Sequence, residues 1–500
     1  MRVGAYPNDE ILRFTLQIES LETSARDILK LIPTLRNLFR PVNWLPPELL
    51  SRIARDVPGD GARDASSVIP LTHVCRYWRE SIVSSSEHWT LISNNQNELT
   101  ALSLERAKTA CLGVTIDMGK FRADPGSFGL TSPQIQNIDS LFVYDLPGIE
   151  ELTQALPNFP QSTPNLRSLT LRCAYTSAKW ARTIDPFESL AHTLKRLSLF
   201  NVPLYPSLRN LRSLTDLTLR YHYFDLDLDT LLAFLEQNRS LERATLDIRF
   251  IDPSLRNLRR AAIRNRLQRL SISCNNPMNA RALISGIVLR RGAHLEILSL
   301  DHNTGLNDIL SEISTTHLAN LTSPAFLEYQ SYPRDIRLTG PNGSFSFSCF
   351  PSSGAPFVEL PLFSLANIRE FRLNHHTPQR LRPSPNLPVL HLASFPALET
   401  FAVECDTDVL HFLSALLPNP SASPSLKTLA FLNSIITEDF MEKLVRFASD
   451  RKNTSAARLH HVVIVDEDGR FPSAALIHAL GKHVPVVDVR FGTKLPTELT

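Results

Sequence analysis

The chain has 500 residues and a formal net charge of +2, with 43% hydrophobic and 20% charged residues. This is the composition of an ordinary globular protein, and its balanced charge provides no general attraction to nucleic acid or to acidic membranes. The first residues lack the apolar core of a signal peptide, and no apolar run is long enough to cross a membrane. We therefore expect a cytoplasmic or nuclear protein.

Residues 1–43 contain an amphipathic helix over residues 9–32. Its apolar residues recur in steps of three and four, which is the seam of a coiled coil. The seam consists of Ile11, Phe14, Ile18, Leu21, Ala25, Ile28 and Ile32. Pro33 interrupts the helix, so the seam is short. It is either a dimerising coiled coil or a helix docked on its own chain, and the second is favoured because helices this short are marginally stable alone.

Residues 44–92 form a small helical module. The first helix, over residues 44–53, has prolines in its first turn, where a missing N–H group costs nothing. A polar turn at residues 58–64 precedes a second helix whose apolar face contains Leu71, Val74, Trp78 and Ile82. Fewer than fifty residues cannot bury three tryptophans and several leucines among themselves, so the module predicts a partner.

This module resembles an F-box. The family pattern is a Leu-Pro-x-Glu-Leu-Leu start, a nearby Ile, a Val-Cys-Arg-x-Trp centre and a closing Leu-Trp. The corresponding residues here are Leu45–Leu50, Ile53, Val74–Trp78 and His88-Trp89. The insertion at residues 59–65 is longer than the commonest form, and His88 stands where Leu is usual.

The resemblance implies binding to the Skp-type adaptor of a cullin–RING ubiquitin ligase. The expected adaptor-binding residues are Leu45, Pro46, Leu49, Leu50, Ile53, Val74, Cys75, Trp78 and Trp89. The alternative is that the module is only a helical cap for the repeats that follow it.

Residues 93–490 contain a repeated pattern of one apolar, two variable, one apolar, one variable and one apolar residue. Ten copies begin at Leu166, Leu194, Leu214, Leu241, Leu267, Leu295, Ile368, Leu398, Leu426 and Leu459. Weaker copies lie at residues 112–116 and 138–143, and helical return segments are predicted at residues 226–238, 278–291, 408–417 and 438–450. A period in the twenties is typical of leucine-rich repeats, which must stack into a solenoid because one unit cannot bury its own apolar face.

The predicted fold is therefore α/β: a leucine-rich-repeat solenoid with a curved parallel sheet, preceded by an all-α N-terminal helix and F-box, with residues 491–500 as a tail. This layout resembles that of the expanded F-box family of mushroom-forming (basidiomycete) fungi.

The repeat pattern lapses near residues 320–360, where two alternating runs flank the turn residues 340–343. This predicts a β-hairpin. Phe345 and Phe347 point to one side of it. The hairpin either replaces decayed repeats, with both phenylalanines in the core, or projects into a binding face; the first interpretation is favoured.

The six cysteines show no metal-ligand spacing. Cys173, Cys274 and Cys405 share one offset after a repeat strand, as do Asn201 and Asn433, and we expect that position to be inward and buried. The adjacent histidines at residues 375–376 and 460–461 lie in or just after strands, where neighbours point to opposite faces, so we expect no metal site there. We found no catalytic or cofactor-binding motif and predict a non-enzymatic chain without cofactors.

The sequence thus predicts the substrate-recognition subunit of an SCF-type ubiquitin ligase, whose repeat sheet binds a protein target of unknown identity. A leucine-rich-repeat scaffold without a ligase is the alternative. The charges at the outward strand positions either form a target surface that changes from basic to acidic along the chain or serve only solubility. The members of this surface are Arg172, Arg196, Arg220, Arg243, Arg269, Glu370, Glu404 and Asp406.

Overall fold

The structure is a computed structural model. It describes residues 8–56, 68–94, 97–123, 130–156, 161–173, 192–202, 211–221, 228–248, 266–299, 324–331, 334–341, 343–349, 365–375, 395–405, 423–434, 436–454, 456–466 and 473–491, with a few isolated positions between them. The chain divides into two compact units, Met1–Ala181 and Arg182–Thr500. The boundary predicted at residues 92 and 93 lies inside the first unit.

The first unit begins with helices and continues with parallel strands. Its helices are α1 (Asn8–Leu38), α2 (Pro47–Asp56), α3 (Ile69–Thr72), α4 (Arg76–Ser84), α5 (Asn97–Ala107), α6 (Met118–Ala123), α7 (Ser132–Gln136) and α8 (Ile149–Ala155), with short 3-10 turns at Pro41–Trp44 and Ser86–Trp89. Its strands are β1 (Leu91–Ser93), β2 (Leu112–Asp117), β3 (Ile138–Leu146) and β4 (Ser168–Cys173). They pair in chain order, and every pair is parallel. Both weak repeats predicted before residue 166 are therefore strands.

Helix α1 lies apart from the core of its unit. It is longer than predicted and contains Pro33 within it. Every side chain from residue 12 to residue 33 is exposed, including the large apolar ones. The favoured interpretation, a helix docked on its own chain, is therefore wrong over this length of α1.

The second unit is a leucine-rich-repeat solenoid. Its strands are β5 (Arg196–Phe200), β6 (Asp216–Tyr221), β7 (Arg243–Ile248), β8 (Ile263–Arg264), β9 (Arg269–Cys274), β10 (Ile287–Val288), β11 (His294–Ser299), β12 (Phe326–Ser331), β13 (Arg334–Gly340), β14 (Gly343–Cys349), β15 (Glu370–His375), β16 (Thr400–Cys405), β17 (Thr428–Leu432), β18 (His461–Asp466) and β19 (Val486–Phe491). Its helices are α9 (Leu228–Gln237), α10 (Pro277–Ser285), α11 (Glu438–Lys452) and α12 (Ala474–Gly481), and a 3-10 turn lies at Leu365–Asn367.

Most strands of this unit form one sheet with parallel neighbours. The order runs β5, β6, β7, β9, β11 and, after the insertion described below, β15 to β19. All ten predicted repeats are strands, the first of them being β4 of the first unit. Return helix α9 lies within its predicted segment, and α11 extends two residues beyond its own. The segment predicted at residues 278–291 is only partly helical, because α10 ends at Ser285 and β10 follows it, and the segment at residues 408–417 is outside the described residues. The register places the motif residues Leu217, Ala244, Leu270 and Leu295 side by side, and all four are buried.

The predicted hairpin at residues 320–360 lies within this sheet. Strands β13 and β14 form an antiparallel hairpin, β12 pairs antiparallel with β13, and the outer strands β12 and β14 are parallel to β15 and β11. Phe345 and Phe347 are buried beside Leu295 and Ile297 of β11. The interpretation with phenylalanines in the core is confirmed, and the projecting hairpin is wrong.

Cysteine or asparagine follows five of the repeat motifs at the same position, and the side chain there was predicted to point inward. Three of these five side chains are buried. Cys173 and Cys274 are buried free thiols, and Asn201 is buried. Asn433 is instead half-buried and donates to Glu404 through its amide, at 2.9 Å. Both asparagines adopt a positive φ, which Asn tolerates better than most residues. The side chain of Cys405 lies outside the described residues.

Candidate interaction surfaces

Several residues of the helical module present apolar side chains to solvent. Leu49 and Ile53 are 45% and 39% exposed, and they lie on one face of α2 because they are four residues apart. Val74, just before α4, is 53% exposed. Pro46 is also exposed, whereas Leu45 and Cys75 are half-buried. These six members of the predicted set are therefore accessible, wholly or in part, to a partner.

The other three members of the set lie in the interior of the module. Leu50, Trp78 and Trp89 are buried. The indole N–H of Trp89 donates to the carbonyl of Ile82 at 3.0 Å, and the guanidinium of Arg106 lies 4.2 Å from the ring centroid. Contrary to the prediction, these three residues are therefore not accessible to a partner. They form the core that supports the exposed members of the set.

A hydrogen bond connects the start of the motif to its centre. The hydroxyl of Tyr77, in the first turn of α4, donates to the carbonyl of Leu45 at 2.7 Å. This contact holds the chain before α2 against the start of α4, which Val74 and Cys75 precede. Trp44 lies beside Leu45 and is 69% exposed, a candidate that the motif comparison missed because the family pattern begins one residue later.

His88 stands where the F-box pattern usually has leucine, and its polar contacts give a structural reason for this difference. His88 is buried, and its Nε2 lies 2.8 Å from the hydroxyl of Ser51 on α2. Burial lowers the pKa of His88, so the neutral ring is favoured in the folded protein. Next to it, Arg55 donates to Glu87 at 2.7 Å. These polar contacts fasten the closing turn of the module to α2, where a leucine would only pack.

The outward face of the sheet in the second unit is lined with hydroxyls and arginines from β5 to β9. Cross-strand neighbours in one row are Arg196, Asp216, Arg243 and Arg269, and the next row is Ser198, Thr218, Thr245 and Ser271. Arg243 is paired with Asp216, and Arg269 donates to Glu296 at 2.8 Å. Burial opposes the ionisation of Asp216, but hydrogen bonds from Arg243 and Thr215 outweigh it and lower its pKa. Two of the five predicted arginines are therefore paired with carboxylates of the same face.

The other three arginines of the predicted set are also exposed. Arg220 lies over the ring of Phe200, with its guanidinium carbon 5.2 Å from the ring centroid, and Arg196 is at the start of β5. Arg172, on β4 of the first unit, is exposed as well. These side chains remain candidates for contact with a partner.

The predicted acidic end of the face is less charged than expected. Glu370 accepts from Arg372 at 2.8 Å, and Glu404 accepts from Asn433. Some outward positions of β16, β17 and β18 form one buried apolar cluster, which contains Ala402, Ala430, Leu432, Val463 and Val465. Asp406 lies outside the described residues. Over the described strands the acidic stretch is therefore limited to paired carboxylates.

The described residues contain no group of three or more His, Cys, Asp or Glu side chains that could hold a metal ion. His375 ends β15 and His461 begins β18, while His376 is outside the described residues. Within the same described ranges, no helix combines the length and the apolar character needed to span a membrane.

Comparison with known proteins gives only distant structural neighbours. No family model and no curated protein matches the chain. Among solved structures, it is similar to a leucine-rich-repeat protein of Leptospira interrogans, with 14% identity and a TM-score of 0.28 over 75% of this chain and 98% of that one. It is also similar to a chain in the Rad7 and Elc1 complex of yeast, with 12% identity and a TM-score of 0.25 over 99% and 96%. The strand register described above carries the fold assignment.

Proposed function

We propose that this chain is the substrate-recognition subunit of an SCF-type cullin–RING ubiquitin ligase. The helical module binds a Skp-type adaptor, and the outward face of the sheet binds a protein target. The chain performs no covalent chemistry itself; it raises the effective concentration of the target near the enzyme that transfers ubiquitin.

The main support for the proposal is that some apolar residues of the F-box-like motif are exposed while others form its core. On α2, Leu49 and Ile53 point to solvent, while Leu50 and Ala54, one residue further on, are buried. A helix needed only as a cap would bury its large apolar residues and expose polar ones. Exposed leucine and isoleucine one turn apart are the kind of anchors that a protein partner covers.

The test is co-purification of the full chain with a Skp-type adaptor. Leu49→Ala combined with Ile53→Ala removes two anchors that are already partly exposed, so the fold should be retained. Complete burial of such a side chain contributes about 1.5–3 kcal/mol, and roughly half of that is available here. Together the two substitutions should weaken adaptor binding by about 10-fold to 100-fold.

A matched control removes equal apolar bulk elsewhere in the same unit. Leu91 and Phe142 are 37% and 36% exposed, outside the motif, and their double alanine variant should bind the adaptor normally. The variant Leu45→Ala with Pro46→Ala should also lose the adaptor. Failure of the unaltered chain to bind any Skp-type adaptor would contradict the proposal and favour a leucine-rich-repeat scaffold without a ligase.

A further inference from the structure

Helix α1 carries an apolar seam that its own unit does not cover. Six large seam side chains are between 40% and 69% exposed: Phe14, Ile18, Leu21, Ile28, Ile32 and Leu35. They repeat in steps of three and four along a helix of 31 residues. A solvent-exposed stripe of this kind is costly unless another surface covers it.

The period of the stripe indicates that the covering surface is another helix. An apolar spacing of 3.5 residues per turn keeps its seam against a helical partner only when both helices supercoil, whereas a helix packed on a flat surface follows 3.6 residues per turn. From Ile18 to Leu35 the steps alternate without a break, and Leu35 continues the seam beyond Pro33.

The residue types along the seam indicate a coiled coil of two parallel helices. Isoleucine occupies the first apolar position of two of the three heptads within residues 18–35, at Ile18 and Ile32, with Ala25 between them. Leucine occupies the second position of the same two heptads, at Leu21 and Leu35, with Ile28 between them. β-Branched residues at the first position with leucine at the second favour parallel dimers over higher oligomers.

The flanks of the seam are compatible with two identical chains. In a parallel pair, each flanking residue faces the residue five positions later in the partner. The facing pairs are Gln17 with Glu22, Ser24 with Leu29, and Leu31 with Arg36. None of these pairs within residues 12–36 brings like charges together. Two further cations lie away from the seam and form ion pairs within the helix: Arg26 with Glu22 at 3.3 Å and Lys30 with Asp27 at 3.0 Å.

The apolar area is sufficient for a stable dimer. With the flanking Leu29 and Leu31, eight large apolar side chains are available on the helix. At roughly 100 Å² each, they offer about 800 Å² per chain. An interface of standard size removes about 800 Å² from each partner.

We propose that the chain forms a parallel homodimer through a coiled coil of α1. Each dimer then carries two helical modules and two repeat sheets. Two linked sheets hold a target with two binding elements, or a repeated one, more tightly than either sheet alone, because the second contact is intramolecular. The proposal does not depend on the adaptor.

The first test is the mass of the full chain in solution, measured by light scattering over a range of micromolar concentrations. The unaltered chain should have the mass of two chains. Leu21→Lys with Ile28→Lys places four charges in the seam of the dimer and should raise its dissociation constant at least about 100-fold. The matched control is Leu12→Lys with Leu16→Lys: these two residues are 60% and 57% exposed on the same helix but lie off the seam, so this variant should remain dimeric.

The second test determines the direction of the helices. A parallel dimer places the two copies of Leu21 in contact, so Leu21→Cys should form an intermolecular disulfide on mild oxidation. Leu16→Cys, on the opposite side, should not. A monomeric unaltered chain, a mass other than that of a dimer, equal loss of dimer in both lysine variants, or equal cross-linking at both cysteines would overturn the proposal. Circular dichroism of each variant confirms that the helix is retained.

Discussion

Arg451 is the side chain whose replacement should most sharply test how the repeats are held together. It lies near the end of α11 and is buried, with 1% of its surface exposed. Its guanidinium donates to the carbonyls of Ser423, Leu426 and Ala457 at distances of 2.9–3.1 Å. These carbonyls precede β17 and β18, so a single side chain joins two loops to a return helix. Its burial lowers the pKa of Arg451.

The substitution Arg451→Met keeps an unbranched, apolar stem in place of the arginine stem and removes every donor. The carbonyls of Leu426 and Ala457 then lose their guanidinium donor, while the carbonyl of Ser423 keeps the backbone N–H of Leu426 as a donor. Each hydrogen bond lost from a buried carbonyl costs about 1–3 kcal/mol. Removing the charge also relieves its desolvation, which offsets several kcal/mol. We therefore expect a net destabilisation of about 2–4 kcal/mol. Arg451→Lys should be at least as damaging, because the buried charge remains and fewer of the carbonyls are reached.

Hydrogen-exchange mass spectrometry of the full chain measures this effect locally. A loss of about 2–4 kcal/mol corresponds to exchange about 30-fold to 1,000-fold faster across α11 and the loops that it contacts. Arg446 is the matched control, because it lies on the same helix with 82% of its side chain exposed and an ion pair to Asp450 of 4.0 Å. Arg446→Met should change stability by less than about 0.5 kcal/mol. Equal exchange in the two methionine variants would refute this account of Arg451.

Three further predictions follow from the described contacts. Burial lowers the pKa of His88, so protonation of this histidine favours the unfolded state. The stability contributed by the neutral ring is retained above the ordinary pKa of 6.5, and the protein becomes less stable as the pH falls below that value. Urea midpoints at pH 7.5 and pH 5.5 should therefore differ less in His88→Leu than in the unaltered chain, and an equal difference would argue against this role. Phe345→Ala should cost about 3–5 kcal/mol and accelerate hydrogen exchange in β13 and β14, whereas the exposed Thr339→Ala should not; protected strands in the Phe345 variant would contradict its place in the core. Arg196→Glu with Arg220→Glu should reduce capture of an acidic target at low salt and have less effect at high salt, and unchanged capture at low salt would leave these arginines without a binding role.

The sequence alone located most strands of the solenoid, although β12 and β19 correspond to no predicted copy of the motif. The motif that begins at Leu214 spaces its apolar residues so that they lie on the inner side of a short strand, and every copy must bury that side against its neighbours. Because this requirement is local and repeated, all ten copies could be located without a structure. The module over residues 44–92 was located in the same way, from its ordered apolar residues.

The tertiary structure decided which side of each element is covered. Leu49 and Leu50 are both leucines in one helical turn, and only the packing of α2 on α4 exposes the first and buries the second. The strand pattern of residues 334–349 predicted a hairpin, but its place between β11 and β12 depends on pairing between residues far apart in the chain. The charges on the sheet face were visible in the sequence, whereas the pairing of Arg243 with Asp216 depends on the register of two strands. Local periodicity specifies which residues are apolar, but long-range contacts decide which of them remain available to a partner.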